Sequence, residues 1–565
     1  MEERRLLLAV ALSLLVLTAY QLLFPTPPPA ARRPSPAPNA AVASPPIRAG
    51  ASPATGGPAS PSALASPASP TPVARLADTT ERRVEVQGDE VTVAFSNRGA
   101  RLVSWQLKRY PDAKGKPEEM VQIVPGGPRA LDIETGDAAV DGRLRDALFR
   151  PSADVMTLKR SGDSEIRFEW AEGDLQAEKV LRFQGPGYLL GVRASVKKAG
   201  EELPKKVLWG PGLGNPTAAE MEVQGYHAPQ GVFDGLGGVE RVVAEKIGPT
   251  HVVNDVKWAG VESTHFAAVW IPPTVPGTVE LRTIDLPPEE GRKRQAAGAA
   301  VPLGGGGETA LLFVGPKDHG LLTKLDHDLV GVVPVGSWIG PIVVPLMALL
   351  RWVHGYVGNY GWSIVVLTIL INLVMAPLRH YSIANGIKMA KLAPEMRVIQ
   401  ERYRKIPALD PRKQEMHKEM AALYSRHGMN MNTQMLVGCL PILITLPFLA
   451  AFYRVLQVAI ELRGASFLWI PDLSQRDPLF VTPVLMGLSM FLMQRMTPSA
   501  MDPAQQRMMM MVMPVILVVM FHAAPAGLNL YWLSSNVCSI IQQAITLRIV
   551  HAHDEHQPSK QRRRA

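Results

Sequence analysis

The run Gly438-Cys-Leu-Pro-Ile-Leu-Ile-Thr-Leu-Pro-Phe-Leu-Ala-Ala-Phe-Tyr453 governs how the rest of the chain is read. With its neighbours, Met435 to Ile460, it forms an apolar stretch long enough to cross a membrane, since a bilayer core of about 30 Å takes about 20 helical residues. Pro441 and Pro447 lie inside it. Each would be costly in a water-soluble helix, whereas neighbouring transmembrane helices can re-satisfy the freed carbonyls. Two readings fit: a kinked helix that lines something, or a kinked structural span.

Composition supports a divided molecule. At 565 residues, 47% apolar and a mean hydropathy of +0.06, the chain is too apolar for an ordinary soluble protein and too polar to be all membrane. Its two cysteines, Cys439 and Cys538, both fall in apolar stretches, so no disulfide framework is expected. The net charge of +9 matters less than its placement. Residues 379–430 hold 11 Lys/Arg against 5 Asp/Glu, and the tail adds Arg548, Lys560 and Arg562 to Arg564.

Outward from that run, the chain divides clearly. Arg4 and Arg5 precede an apolar stretch from Leu6 to Phe24, followed by Pro25-Thr-Pro-Pro-Pro29, a poor cleavage site. Residues 1–24 therefore read as an uncleaved N-terminal anchor with its start in the cytoplasm; a cleaved signal peptide is the other reading. Residues 25–77 form a Pro/Ala-rich spacer, with 15 prolines between 25 and 76. From Arg83 the pattern turns to period two, as in Val84/Val86, Val91/Val93/Phe95, Ile166/Phe168/Trp170 and Leu190/Val192/Ala194/Val196. A β-sandwich over 78–320 is expected. His227, His251 and His265 stand singly there and read as structural or surface groups.

The remainder reads as helical. Trp338 to Leu350 is short for a span and suits a helix at the membrane interface, within a 333–357 segment. If it crossed, the basic 379–430 segment would face outward, against the positive-inside tendency. Spans are expected at 6–24, 358–379, 435–460, 479–495, 509–524 and 527–547. Between the second and third lies a hairpin, 380–430, with apolar stripes Met389/Leu392/Met396/Ile399/Tyr403 and Met416/Met420/Leu423. Asp410 and Pro411 mark the second helix's start and Gly428 its end. The expected fold is an α-helical polytopic membrane protein of six transmembrane helices. It has an inserted periplasmic β-sandwich, a cytoplasmic helical hairpin, a five-helix core over 358–547 and a basic tail, 548–565.

No nucleotide loop, metal-ligand cluster or nucleophile motif stands out, so the expected chemistry is solvation, without cofactor, catalytic residue or metal. Polar side chains inside spans are costly and mark functional positions. Thr368, Asn372 and Arg379 fall within about 40° on an ideal helical wheel, and Gln434 and Thr445 within about 20°. Asn529, Asn536 and Gln543 repeat every seven residues. Such stripes either enclose a wet groove or hydrogen-bond helix to helix. Methionines crowd the fourth and fifth spans: Met486, Met490, Met493 and Met496, then Met508 to Met511, Met513 and Met520. They suit a surface for varied guests or plain lipid-facing filler.

The opening run is followed by Glu461-Leu-Arg463, Leu468-Trp-Ile-Pro-Asp-Leu-Ser474 and Asp477-Pro478. Further along come Asp502-Pro-Ala-Gln-Gln-Arg507, Met513-Pro514, Pro525-Ala-Gly-Leu-Asn-Leu-Tyr-Trp532 and Ser535-Asn536. In this order the motifs resemble the YidC family of bacterial membrane-protein insertases, densely over 335–550. The resemblance implies a non-enzymatic insertase and chaperone of the bacterial inner membrane, with a mutarotase-like periplasmic domain and both termini cytoplasmic. Nascent membrane proteins, the Sec translocon, the ribosome and the lipid bilayer would be its partners, and no small molecule its substrate. It adds Tyr531 and Trp532 to the groove set, and makes Arg562, Arg563 and Arg564 a ribosomal RNA contact, unless they are a merely solvated tail. The family's groove carries an Arg five residues before a Pro-Leu pair. Here that position, five before Pro377, is Asn372, leaving Arg379 or Arg454 as the available cations. Two rivals remain: a small-molecule transporter, for which no internal repeat is seen, and an anchored sugar-processing domain, which lacks a His/carboxylate cluster.

Overall fold

In the computed structural model, residues 75–555 are described, apart from 113, 160–161, 186, 215–217, 290–291, 306, 337, 405, 408–409, 411, 428–445 and 498–502. Residues Ser69–Ala565 form one unit. Alternating burial sets up its first part. Along Ser164–Glu172, Ile166, Phe168 and Trp170 point inward while Glu165, Arg167 and Glu172 face out. Leu175–Gln184 and Leu189–Lys198 pair antiparallel through ten residue pairs, which pins the alternation of both strands. These strands belong to a ten-stranded sheet.

Two five-stranded sheets lie against it. One contains Arg83–Gln87, Val91–Ser96 and Arg101–Pro111. Its Phe95 meets Phe168 at 5.9 Å, and its Trp105 stacks on Phe183 of the long sheet at 5.9 Å. The other contains Gly277–Glu289 and Arg292–Leu303, and its Leu281 abuts Gly231 of the long sheet. Large aromatic side chains make this core, and each buries apolar area on the order of 150–250 Å².

Helices make up the second part. They are α1 (Gly340–Val357), α2 (Tyr360–Arg402), α3 (Arg412–Arg426), α4 (Leu446–Val458), α5 (Val481–Met496), α6 (Pro503–Phe521) and α7 (Ala526–Glu555). Among the described residues, α1 and α2 are long and apolar enough to cross a membrane. The helix predicted over Trp338 to Leu350 continues to Val357, and buries Val343, Leu346, Met347, Leu350 and Val353 on one face.

The sequence suggested a span ending near 379 and a separate hairpin helix. Instead α2 runs unbroken for 43 residues, about 65 Å. Pro377 and Pro394 each cost one backbone bond but do not end the helix. Beside Pro377, the Gln542 amide of α7 donates to the Ala376 carbonyl at 2.6 Å. Farther along, α2 packs on α3 through Leu392, Met396, Leu423 and Tyr424, flanked by Met389, Ile399 and Met420. Asp410 Oδ1 accepts from the Arg412 amide at 2.9 Å, as a cap at that position should.

Close approaches fix the helical part. Asn359 caps α2 through the Trp362 amide and donates to the Ser466 carbonyl at 2.9 Å. A Cβ on Gly361 would lie 2.1 Å from the Phe467 ring, so only glycine admits this loop. The same holds at Gly487, where a Cβ would lie 2.4 Å from Val518 and force α5 off α6. Asp477, 1% exposed, organises the 464–480 loop. Its carboxylate accepts from Trp469 Nε1 at 3.1 Å, the Leu479 amide at 3.0 Å and the Thr482 amide at 2.7 Å.

Candidate functional site: a polar seam between two apolar helices

The polar residues that one face of α2 carries converge on α7. Thr368, fully buried, donates to its own helix at Ile364 O, 2.6 Å away. Asn372, 7% exposed, donates to Thr368 O at 2.8 Å, which turns its Oδ1 outward from the helix. Arg379 then reaches back along the same face of α2. Its guanidinium donates to Asn372 Oδ1 at 2.6 Å and to Ser539 Oγ of α7 at 2.6 Å. A cation rooted two turns away is thereby held at the Asn372 position. His380 Nδ1 lies 3.0 Å from Thr546 Oγ1, and with Gln542 extends the seam.

Arg454 lies elsewhere. Its Nε donates to the Pro334 carbonyl at 2.5 Å, and it reaches Gln457 at 3.3 Å. One partner belongs to the segment leading into α1 and the other to α4 itself, and neither is Asn372.

The heptad of α7 turns to other neighbours. Asn529 donates to Phe521 O at 3.2 Å. Asn536 donates to Ser489 Oγ of α5 at 2.9 Å, and Gln543 to the Met496 carbonyl at 2.8 Å. Of the two readings left open for this heptad, these bonds are the helix-to-helix kind. Tyr531 is buried and stacks on Phe452 of α4 at 4.1 Å, while Trp532 meets Phe521 edge-on at 4.9 Å. Gln434, Thr445 and Arg562 to Arg564 lie outside the described residues. Of the methionines, Met486 is buried, whereas Met508, Met509, Met511, Met513 and Met520 of α6 are exposed.

A second cluster went unassigned in the sequence. Arg463, which follows the short turn Ile460–Leu462 after α4, inserts into the β-sheet part. It donates to Glu118 at 2.7 Å, Glu220 at 2.9 Å and the Pro111 carbonyl at 2.9 Å, and lies 5.0 Å from the centre of the Phe266 ring. Arg476 adds a contact to Glu222 at 2.8 Å, and Arg351 of α1 lies 3.5 Å from Glu461 and 3.7 Å from Asp318. The sequence signal was Glu461-Leu-Arg463 at the end of an apolar run, but partners 243 and 345 residues away left no local trace.

His265 sits in the same junction. Burial, then the nearby Arg463, Lys317 and His227 charges, push its imidazole from its ordinary value down to about 3. The folded chain thus refuses a proton that the unfolded chain accepts below about 6.5. Stability is complete above that pH and falls as the pH drops toward about 3. Between pH 6 and 5 the loss should be about 1 kcal/mol from this group. Thermal unfolding of His265→Gln against the parent should show a shallower acid slope; equal slopes would remove His265 as the cause.

The described residues thus combine apolar helices that bear a buried polar seam with a layered β-sheet part. The YidC periplasmic domain profile matches residues 83–349 and that of the 60Kd inner membrane protein matches 352–553. A membrane protein insertase YidC of Citrifermentans bemidjiense is 33% identical over 549 residues, covering 96% of this chain and 98% of its own. Its counterpart from Geobacter sulfurreducens is 32% identical over 473 residues, covering 80% and 83%. A crystal structure titled as an active YidC insertase, with its first transmembrane domain resolved, aligns over 84% of this chain and 94% of its own. Its TM-score is 0.35 at 18% identity. The chain belongs to the YidC family of membrane protein insertases.

Proposed function

We propose that this chain inserts nascent membrane proteins into the bacterial inner membrane through the seam between α2 and α7. The carrying observation is the Arg379–Asn372–Ser539 cluster, a charge held among apolar helices by two hydrogen bonds of 2.6 Å. Such a charge is costly in lipid and is kept where water or a polar guest can meet it. A guest's polar leader would enter from the cytoplasmic side and face a thinner apolar barrier, while its apolar segment slides past α4 and the exposed methionines of α6 into lipid. Hydrophobic partition drives the transfer, so no bond is made. Thr368, Asn372 and Arg379 form one wall, and Gln434 and Thr445, outside the described residues, belong to the proposed guest-contacting set. Asn529, Tyr531, Trp532 and Asn536 hold the neighbouring helices around it.

The arrangement in the membrane follows from charge. Six spans, with residues 1–24 the first, place both termini and the α2–α3 pair in the cytoplasm and residues 78–320 in the periplasm beyond the 25–77 spacer. Residues 333–357, including α1, lie at the outer interface. The Sec translocon and the ribosome are the expected collaborators, the latter meeting the basic tail, 548–565. Reconstituted vesicles supplied with one nascent membrane protein and no solute gradient test the activity. Protease-protected guest is the expected result; exposed guest in vesicles containing the folded protein would refute it.

Topology gives a separate prediction. After Cys439 and Cys538 are replaced by serine, Leu236→Cys should react with an impermeant thiol reagent outside intact spheroplasts. Lys418→Cys should react only after lysis. Labelling at 418 without lysis would overturn the six-span arrangement.

A further inference from the structure

A cavity of about 610 Å³ opens where the β-sheet part meets the helical part. Pro111, Asp112 and Gly115 close one side, and Arg463, Asp472 and Arg476 are among those closing the other. Pro478 and Phe480 add an apolar rim to this lining, and near them in sequence Leu479, Leu468 and Trp469 are 63%, 69% and 38% exposed. Below the rim, α5 continues with exposed Val484, Leu485, Leu488 and Leu492. In a protein of an inner-membrane family, an exposed strip of this kind marks where the acyl region begins, with Trp469 at headgroup depth.

The polar lining carries both signs. Arg476 gives one guanidinium nitrogen to Glu222 at 2.8 Å and keeps 39% of its side chain exposed. Asp112 uses Oδ1 for the Lys114 and Lys116 amides, and Asp472 uses Oδ1 for Ser474, so the bonds found for each occupy one carboxylate oxygen. Glu220 and Arg463, also in the lining, already pair with each other, which leaves Arg476 facing Asp112 and Asp472: a lone phosphate would be repelled by those two carboxylates, and a lone cation by Arg476. A ligand with both charges a few ångströms apart satisfies the whole lining. We propose that this cavity seats the headgroup of a zwitterionic, amine-bearing phospholipid, its phosphate on Arg476, its ammonium on Asp112 and Asp472, and its chains along α5.

The full chain, purified in detergent and offered equal amounts of phosphatidylethanolamine, phosphatidylglycerol and phosphatidylcholine, tests this by native mass spectrometry. One phosphatidylethanolamine should be retained about tenfold over either competitor, a ratio that one charge-assisted hydrogen bond supports. The phosphatidylcholine comparison isolates the carboxylates without mutation, because a trimethylated amine donates no N–H. Asp112→Asn with Asp472→Asn, and Gln475→Trp, which fills the cavity, should each bring the ratio near unity with unfolding temperature unchanged, whereas Arg476→Gln should lower retention of all three lipids together. Equal retention of the three lipids, or selectivity that survives both the paired carboxylate and the Gln475→Trp variants, would overturn the assignment. If the variants fail to fold, the ratios for the parent chain still decide.

Discussion

Arg463→Gln is expected to loosen the junction between the sheets and the helices by about 3 kcal/mol, because removing one partner strands buried opposite charge. Arg463 is 6% exposed on its side chain, and Glu118 and Glu220 are each 12% exposed. Burial already pushes the Glu118 carboxyl above its ordinary value, against the pull of Arg463. Without the guanidinium, both carboxylates either take up protons or open the junction to water. Hydrogen exchange should therefore speed up by about a hundredfold, the factor that roughly 3 kcal/mol gives, at 111–120 and 218–226 while the sheet core stays protected. Glu118→Gln with Glu220→Gln in the Arg463→Gln background should restore part of the protection. Unchanged exchange in Arg463→Gln would mean that packing around Phe266 and the contacts of Arg351 and Arg476 hold the junction alone.

Arg379→Gln is expected to reduce insertion of a guest with an acidic leader about tenfold, equivalent to losing about 1.4 kcal/mol. Glutamine is too short to span from its own turn to Asn372, so Asn372 Oδ1 and Ser539 Oγ lose their shared donor along with the charge. Asn372→Ala should cost about threefold, since Ser539 still orients the guanidinium. Arg454→Gln should cost less than Arg379→Gln, because its bonds go to Pro334 O and Gln457. Neither arginine variant should abolish insertion of a neutral-leader guest. Loss through Arg454→Gln alone, at normal protein level, would refute the placing of the active charge at Arg379.

What could be read in advance follows from how far each interaction reaches along the chain. Period-two burial located strands such as Ser164–Glu172, and the methionine and leucine stripes located the α2–α3 pair, because both are local patterns. Three-and-four spacing likewise put Thr368, Asn372 and Arg379 on one face. That Arg379 reaches back to Asn372 depends on a side-chain direction that a wheel does not contain. The heptad Asn529, Asn536 and Gln543 was visible, but not its orientation, since α5 supplies acceptors such as Ser489 and Met496 from the other side. A helix end was expected near 379, yet α2 runs on through Pro377 and Pro394, because a proline removes one backbone bond and a long, packed helix tolerates that loss. The junction around Arg463 was invisible because every partner comes from a distant segment.

Native Cys538 offers the most direct test of the seam. It is half-buried on α7, next to Ser539, the hydroxyl to which Arg379 donates. With Cys439 replaced by serine, a stalled nascent membrane protein carrying one cysteine in its leader should form a disulfide with Cys538. Moving the thiol to the exposed stripe of α7, with Cys538→Ser and Ile541→Cys, should abolish the product for the leader position. Efficient disulfide formation at 541 with none at 538, in a chain that still inserts its guest, would contradict passage through the α2–α7 seam.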